Sequence, residues 1–136
     1  MNKYGETAKQ IRSADKYPTC TETILMSYSE KLGITEKQAR ALGVNFGAGM
    51  RSGNVCGAIT GALMVLGGLG FSDPKTVNEV IRRIKERHND MINCSDLLKA
   101  NHEAGGDRKS HCDGMICEAI EIIERIRLES GTGKGI

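Results

Sequence analysis

The sequence predicts an all-α protein, a compact bundle of about five to six helices around a central glycine-rich buried helix. Apolar residues recur at intervals of three and four along most of the chain, and sustained alternation of period two does not occur. Ser, Thr, Asn or Asp residues with cap-forming partners stand before the periodic stretches, marking helix starts. A length of 136 residues with 39% hydrophobic side chains suits one domain that buries its own core without staples.

Taken in order, residues 1–18 read as a polar N-terminal segment. Thr19 with Glu22 forms a capping box that opens a helix carrying Ile24, Leu25, Tyr28 and Leu32, and Gly33 closes it. Thr35 with Gln38 starts a short second helix toward Leu42. Asn45–Gly53 (NFGAGMRSG) is a glycine loop, and Asn54 is the expected N-cap of the buried helix, which runs to about Leu66. Ser72 or Asp73 caps the next helix with Pro74 in its first turn, and its apolar stripe is Val77, Val80, Ile81 and Ile84. Asn93 caps a short helix containing Leu97 and Leu98. After a loop over residues 101–109, Ser110 with Asp113 opens a long helix striped by Met115, Ile116, Ala119, Ile120, Ile123 and Ile126. The single helical domain therefore spans 19–129, and residues 130–136 (SGTGKGI) form a frayed tail.

Composition removes several function classes. Nineteen Lys and Arg against seventeen Asp and Glu leave a formal charge of only +2, too balanced for a dedicated nucleic-acid binder. Ser52 to Ser72 holds no formal charge and spaces Gly53, Gly57 and Gly61 by four, as membrane helices do at close contacts. Its apolar part, Val55 to Phe71, is short for a span and rich in glycine. A buried helix in a bundle, with no membrane span, is the expected reading. Met1 to Pro18 has no apolar run of the kind an export signal needs, so the expected compartment is the cytoplasm. In a reducing compartment, five cysteines in a chain of this size point to metal ligands or redox-active thiols before structural disulfides.

The cysteines fall on the helix starts. Cys20 follows Thr19, Cys56 follows Asn54 by two, Cys94 follows Asn93 and Cys112 follows Ser110 by two. Each precedes apolar residues on its own face, so all four are expected to point inward and to converge despite separations of 36, 38 and 18 residues. A helix N-terminus offers unpaired N–H groups and partial positive charge, which favour thiolate over thiol by up to roughly 1 kcal/mol. Buried cysteines also serve as small hydrophobes, but four in the same local context point to shared chemistry. Cys117 differs: five residues beyond Cys112, it lies about 140° around the helix, beside Asp113, Glu121 and Glu124.

These residues carry a resemblance. Cys56-Gly57-Ala58-Ile59-Thr60-Gly61-Ala62, preceded by Phe46-Gly47-Ala48-Gly49-Met50, resembles the central CGAxxG motif and glycine loop of the C_GCAxxG_C_C family of redox-active proteins. By position, Cys20, Cys56, Cys94 and Cys112 match that family's four cysteines over roughly Thr19 to Ile126, and Cys117 is extra. The resemblance implies redox activity without supplying a reaction.

Two redox chemistries fit the residues, and a structural zinc site is a third option. Four thiolates could ligate an iron–sulfur cluster for electron transfer, with helix N-termini offsetting its negative charge. Alternatively, a pair of thiols cycles as a thiol–disulfide catalyst or sensor with no cofactor, or a zinc ion holds the four cysteines structurally. The absence of CxxC tilts the sequence reading toward the cluster. Under either redox chemistry Cys20, Cys56, Cys94 and Cys112 are the candidate redox thiols or metal ligands. Gly47, Gly49, Gly57 and Gly61 are the candidate cofactor-cradling positions, and a redox partner protein is implied. Oligomeric state stays open. His111, beside Cys112, is the best placed histidine for metal, while His88 and His102 read as solvated. Gly47, Gly49 and Gly53 lack phosphate-loop spacing. Arg82, Arg83, Lys85 and Arg87 read as a solvated basic face opposite acids.

Overall fold

Local capping chemistry sets the helix starts. The Thr19 N–H donates to Glu22 Oε1 at 3.1 Å, closing the expected capping box. Thr35 and Gln38 form a second box, with the Gln38 N–H 3.0 Å from Thr35 Oγ1. In the computed structural model, which describes residues 2–130, helices α1 (Lys3–Arg12), α2 (Cys20–Ser27), α3 (Ser29–Leu32), α4 (Glu36–Gly43), α5 (Gly57–Gly68), α6 (Pro74–Arg87), α7 (Cys94–Glu103) and α8 (Arg108–Glu129) follow in order. A wide turn over Gly49–Gly53 interrupts them. The fold is all-α, and the described residues form no strand, only an isolated antiparallel bridge between Val55 and Asn93. The tail expected beyond Ser130 lies outside the described residues.

The glycine-rich helix α5 sits at the centre, packed between α2 and α8. Its glycines permit the close approach: a Cβ on Gly61 would stand 3.2 Å from Ile24 Cβ, and one on Gly57 only 2.6 Å from Thr21 Oγ1. Ile24, Ile59, Leu66, Ile116, Ile120 and Ile123 are buried there, each contributing about 1.5–3 kcal/mol by removal from water. Among the described residues no helix is long and apolar enough to cross a membrane.

The helices outnumber the expected five to six, for identifiable reasons. The segment read as polar contains α1, which buries Gly5, Ala8 and Arg12, a face with almost no apolar signature. The helix expected to run from Thr19 to Gly33 breaks at Tyr28, whose ring stacks on Tyr4 at 4.1 Å and whose hydroxyl donates to Glu124 at 2.7 Å. Asn54 does not cap α5; Cys56 occupies that position with extended backbone, while Asn54 bonds across the chain, accepting from the Cys94 N–H at 2.7 Å. The last helix begins earlier than Ser110, because the Asp107 carboxylate accepts from the Ser110 N–H at 3.0 Å and caps the chain three residues sooner. Val77, expected in a buried stripe, is exposed, whereas Val80 and Ile84 are buried. The Arg82–Arg87 face carries ion pairs to Glu79, Glu86, Glu118, Glu121 and Glu129, as its charge pattern suggested. His88 departs from the solvated reading: its Nε2 lies 2.8 Å from Glu118 Oε2 in a half-buried pair.

Candidate thiol site

Four separate elements carry Cys20, Cys56, Cys94 and Cys112 to the wall of one cavity of about 330 Å³. Cys20 is the first residue of α2, directly after the Thr19 cap. Cys56 and Cys94 are brought together by the short extended pairing that precedes α5 and α7. The Cys56 N–H donates to Ile92 O at 2.9 Å and the Cys94 N–H to Asn54 O at 2.7 Å, on either side of the Val55–Asn93 bridge. Residues flanking a bridged pair point to the same face, so both thiols turn to the cavity. Cys112 arrives on α8, one turn in from the Asp107 cap. It is therefore not in a first turn, unlike the expectation, and its environment owes less to free N–H groups than to the side chains around it. Cys117 lies outside this wall, exposed in the interior of the same helix.

The thiols are not equivalent. The Cys20 thiol donates to the Cys112 carbonyl oxygen at 4.0 Å, which sets its sulfur beside the Cys112 side chain. The neighbouring Cys20 thiol, aided by the Arg12 and Arg108 cations, brings Cys112 down to about 6 against the opposing effect of burial. The same contact holds Cys20 well above its ordinary value, reinforced by burial. Cys56 is pushed up to about 11 by burial, with the Ala58 and Ile59 N–H groups offsetting part of it. Burial likewise raises Cys94. At neutral pH the cavity therefore holds one thiolate, at Cys112, among three thiols.

Arg12 is the residue that sequence inspection passes over. It is 5% exposed, its Nε donating to Asp113 Oδ1 at 2.6 Å and its Nη1 to Pro18 O at 2.7 Å. Its guanidinium carbon sits 4.2 Å from the Tyr17 ring centroid. The available signal was spacing: Tyr4, Ala8 and Arg12 recur every four residues and so share a helix face. Lys109 donates to Asp113 Oδ2 at 2.8 Å. Arg12, Arg108, Lys109 and His111 all line the cavity, together with apolar Leu97, Leu98 and Met115. Burial lowers His111, with the nearby His88 adding to it, so its imidazole is neutral at pH 7.

Of the four glycines expected to cradle a cofactor, Gly57 lines the cavity. Gly47 and Gly61 make room for Thr19 and Ile24. Gly49 belongs to a run of left-handed backbone, φ +55° at Ala48, +65° at Gly49, +58° at Met50 and +56° at Arg51. Such conformations cost roughly 1–2 kcal/mol at each non-glycine position; the turn delivers the chain to the Cys56 cap and presents Ala48 to the cavity.

Among the described residues no group of three His, Cys, Asp or Glu side chains is assembled to hold a metal ion, so the tight tetrahedron of a zinc site is not preformed. A polynuclear iron–sulfur cluster spreads its thiolates wider and carries negative charge. Four thiols among cationic side chains suit it in kind.

The sequence profile of the family described as "Putative redox-active protein (C_GCAxxG_C_C)" matches residues 18–126. No curated protein and no solved structure matches the chain. With the profile covering most of its length and all four cavity cysteines, the chain belongs to the C_GCAxxG_C_C family.

Proposed function

We propose that this chain is a thiol–disulfide redox protein in which Cys112 attacks and Cys20 resolves. The observation that carries the reading is that Cys20 and Cys112 stand side by side on the wall of an accessible cavity, the Cys20 Sγ 4.0 Å from the Cys112 carbonyl, with Cys112 held below and Cys20 above the ordinary thiol value. The Cys112 thiolate attacks one sulfur of a disulfide R–S–S–R, forming Cys112–S–S–R and expelling RS⁻, which takes a proton from water. Consuming that thiolate removes the negative charge that helped Cys20 keep its proton. Cys20 then ionises more readily, loses its proton to solvent, and attacks the Cys112 sulfur. The second RS⁻ leaves and a Cys20–Cys112 disulfide forms; two electrons have passed from the two thiols to R–S–S–R. The order of events is thus set by the pair itself.

A second reading has its own observation. Cys56 and Cys94 turn to the same cavity, which has three cationic side chains, Arg12, Arg108 and Lys109, on its wall and no carboxylate, an environment suited to a negatively charged iron–sulfur cluster on all four cysteines. Bound there, such a cluster would supply one-electron transfer.

Anaerobic purification followed by iron, zinc and sulfide analysis, with mass spectrometry of the oxidised protein, separates the two. The dithiol reading expects metal-free protein with one reproducible Cys20–Cys112 linkage. Stoichiometric iron and sulfide would overturn it in favour of the cluster, and colourless protein with no reproducible linkage would overturn both.

A further inference from the structure

The cavity wall carries a chemical preference beyond its thiols. Arg12, Arg108, Lys109 and His111 line it, and no Asp or Glu does. Asp113, behind the wall, is shared between Arg12 and Lys109. Among the described residues Arg108 makes no ion pair with a carboxylate; it is exposed at the first position of α8, and its cation helps hold Cys112 ionised. The N-termini of α2 and α7 add partial positive charge at Cys20 and Cys94. Besides the Arg12, Arg108 and Lys109 cations, the wall carries apolar Leu97, Leu98 and Met115. A volume of about 330 Å³ suits a small molecule, and Cys112 and Cys20 are partly buried.

We infer that the disulfide reduced at this site is a low-molecular-weight organic disulfide bearing a carboxylate, with Arg108 taking the anionic group while Leu97, Leu98 and Met115 receive the aliphatic stem. The inference rests on the Cys112–Cys20 reading above and adds the substrate class. A carboxylate on Arg108 delivers its disulfide to the Cys112 sulfur, because Arg108 lies one helical turn before Cys112 on the same face. A cationic disulfide meets the same wall with repulsion, and a neutral one with neither.

The test uses the full chain at pH 7 with three symmetrical disulfides of similar size: dithiodiglycolate (anionic), bis(2-hydroxyethyl) disulfide (neutral) and cystamine (cationic). The rate of Cys112–Cys20 oxidation by each is divided by its rate with a short cysteine peptide, which cancels intrinsic reactivity. The anionic probe should exceed the neutral by roughly tenfold and the cationic probe should fall below it, the spread shrinking in 0.5 M salt. Arg108→Gln should cut the anionic-to-neutral ratio at least about threefold. Reading the ratio cancels the loss of thiolate that this variant also causes. Normalised rates equal within twofold across the probes, or an Arg108→Gln ratio like that of the parent, would overturn the substrate class while leaving the thiol pair standing. If no probe oxidises Cys112, the thiol–disulfide reading itself fails.

Discussion

Replacing Cys20 with Ala asks whether the neighbouring Cys20 thiol, and not proximity to a helix start, keeps Cys112 ionised. Cys112 stands at about 6, so at pH 7 roughly 90% of it is thiolate, against about 1% for an ordinary thiol. Its largest support is the neighbouring Cys20 thiol, ahead of Arg12 and Arg108. A hydrogen bond to a charged group is worth about 1.5–3 kcal/mol, which corresponds to moving the Cys112 midpoint up by roughly one to two pH units. The assay is alkylation by iodoacetamide from pH 5 to 9, with Cys112 labelling counted by peptide mass spectrometry. Cys20, Cys56, Cys94 and Cys117 are all raised, so Cys112 alone should titrate in the acid half of the range. The parent midpoint should fall near 6, and in Cys20→Ala between about 7 and 8, with labelling at pH 6 lowered about tenfold. A parent midpoint near 9, or one near 6 that Cys20→Ala leaves in place, would refute the reasoning.

Two further outcomes concern stability. Gly57→Ala should cost about 1–3 kcal/mol in urea denaturation, because the new methyl meets Thr21 Oγ1 at 2.6 Å and the Phe46 carbonyl at 3.0 Å; a cost below 0.5 kcal/mol would mean that α2 and α5 can part. The thiol pair also shapes stability against pH: the folded state holds Cys112 below, and Cys20 above, the ordinary thiol value of 9.0. From about pH 6 to 9 the unfolded chain binds more protons at these two groups and stability rises; above 9 the unfolded chain has lost both while Cys20 keeps its own, and stability falls. The Cys20→Ala, Cys112→Ala double variant should flatten that maximum near pH 9, and an unchanged profile would contradict the assignment.

What the sequence makes legible here is local. The Thr19–Glu22 and Thr35–Gln38 boxes form between residues three apart, and the α8 stripe from Met115 to Ile126 is buried as its period requires. Placing cysteines at helix starts anticipated that they share a cavity. It did not anticipate why they differ from one another. The Val55–Asn93 bridge that turns Cys56 and Cys94 together joins segments 38 residues apart, and nothing in either segment announces its partner. Helix α1 hid because its buried face is Gly5, Ala8 and a charged Arg12; the carboxylate that balances that charge, Asp113, lies a hundred residues on. Ser110 is a good cap on paper, but Asp107 reaches the Ser110 N–H with a charged acceptor, which moved Cys112 into the second turn and handed its ionisation to side chains.

That division of charge also decides how the cluster reading must behave. At pH 7 the cavity holds one thiolate, so ligation by all four cysteines requires Cys20, Cys56 and Cys94 to lose protons that burial makes them keep. Metal binding of this kind is coupled to proton release and strengthens as pH rises. Anaerobic transfer of a preformed iron–sulfur cluster from a small aryl-thiolate complex, whose departing thiolates stay ionised above pH 7, isolates that coupling. If the cluster is native, loading read by visible absorption should climb between pH 7 and 9, by as much as roughly tenfold per pH unit for each thiol that ionises. Cys56→Ser should abolish stable loading, whereas Cys117→Ser, on the exposed face of α8, should leave it unchanged. Loading that ignores pH, or that survives Cys56→Ser, would show the metal held elsewhere and return the cavity to the Cys20–Cys112 pair alone.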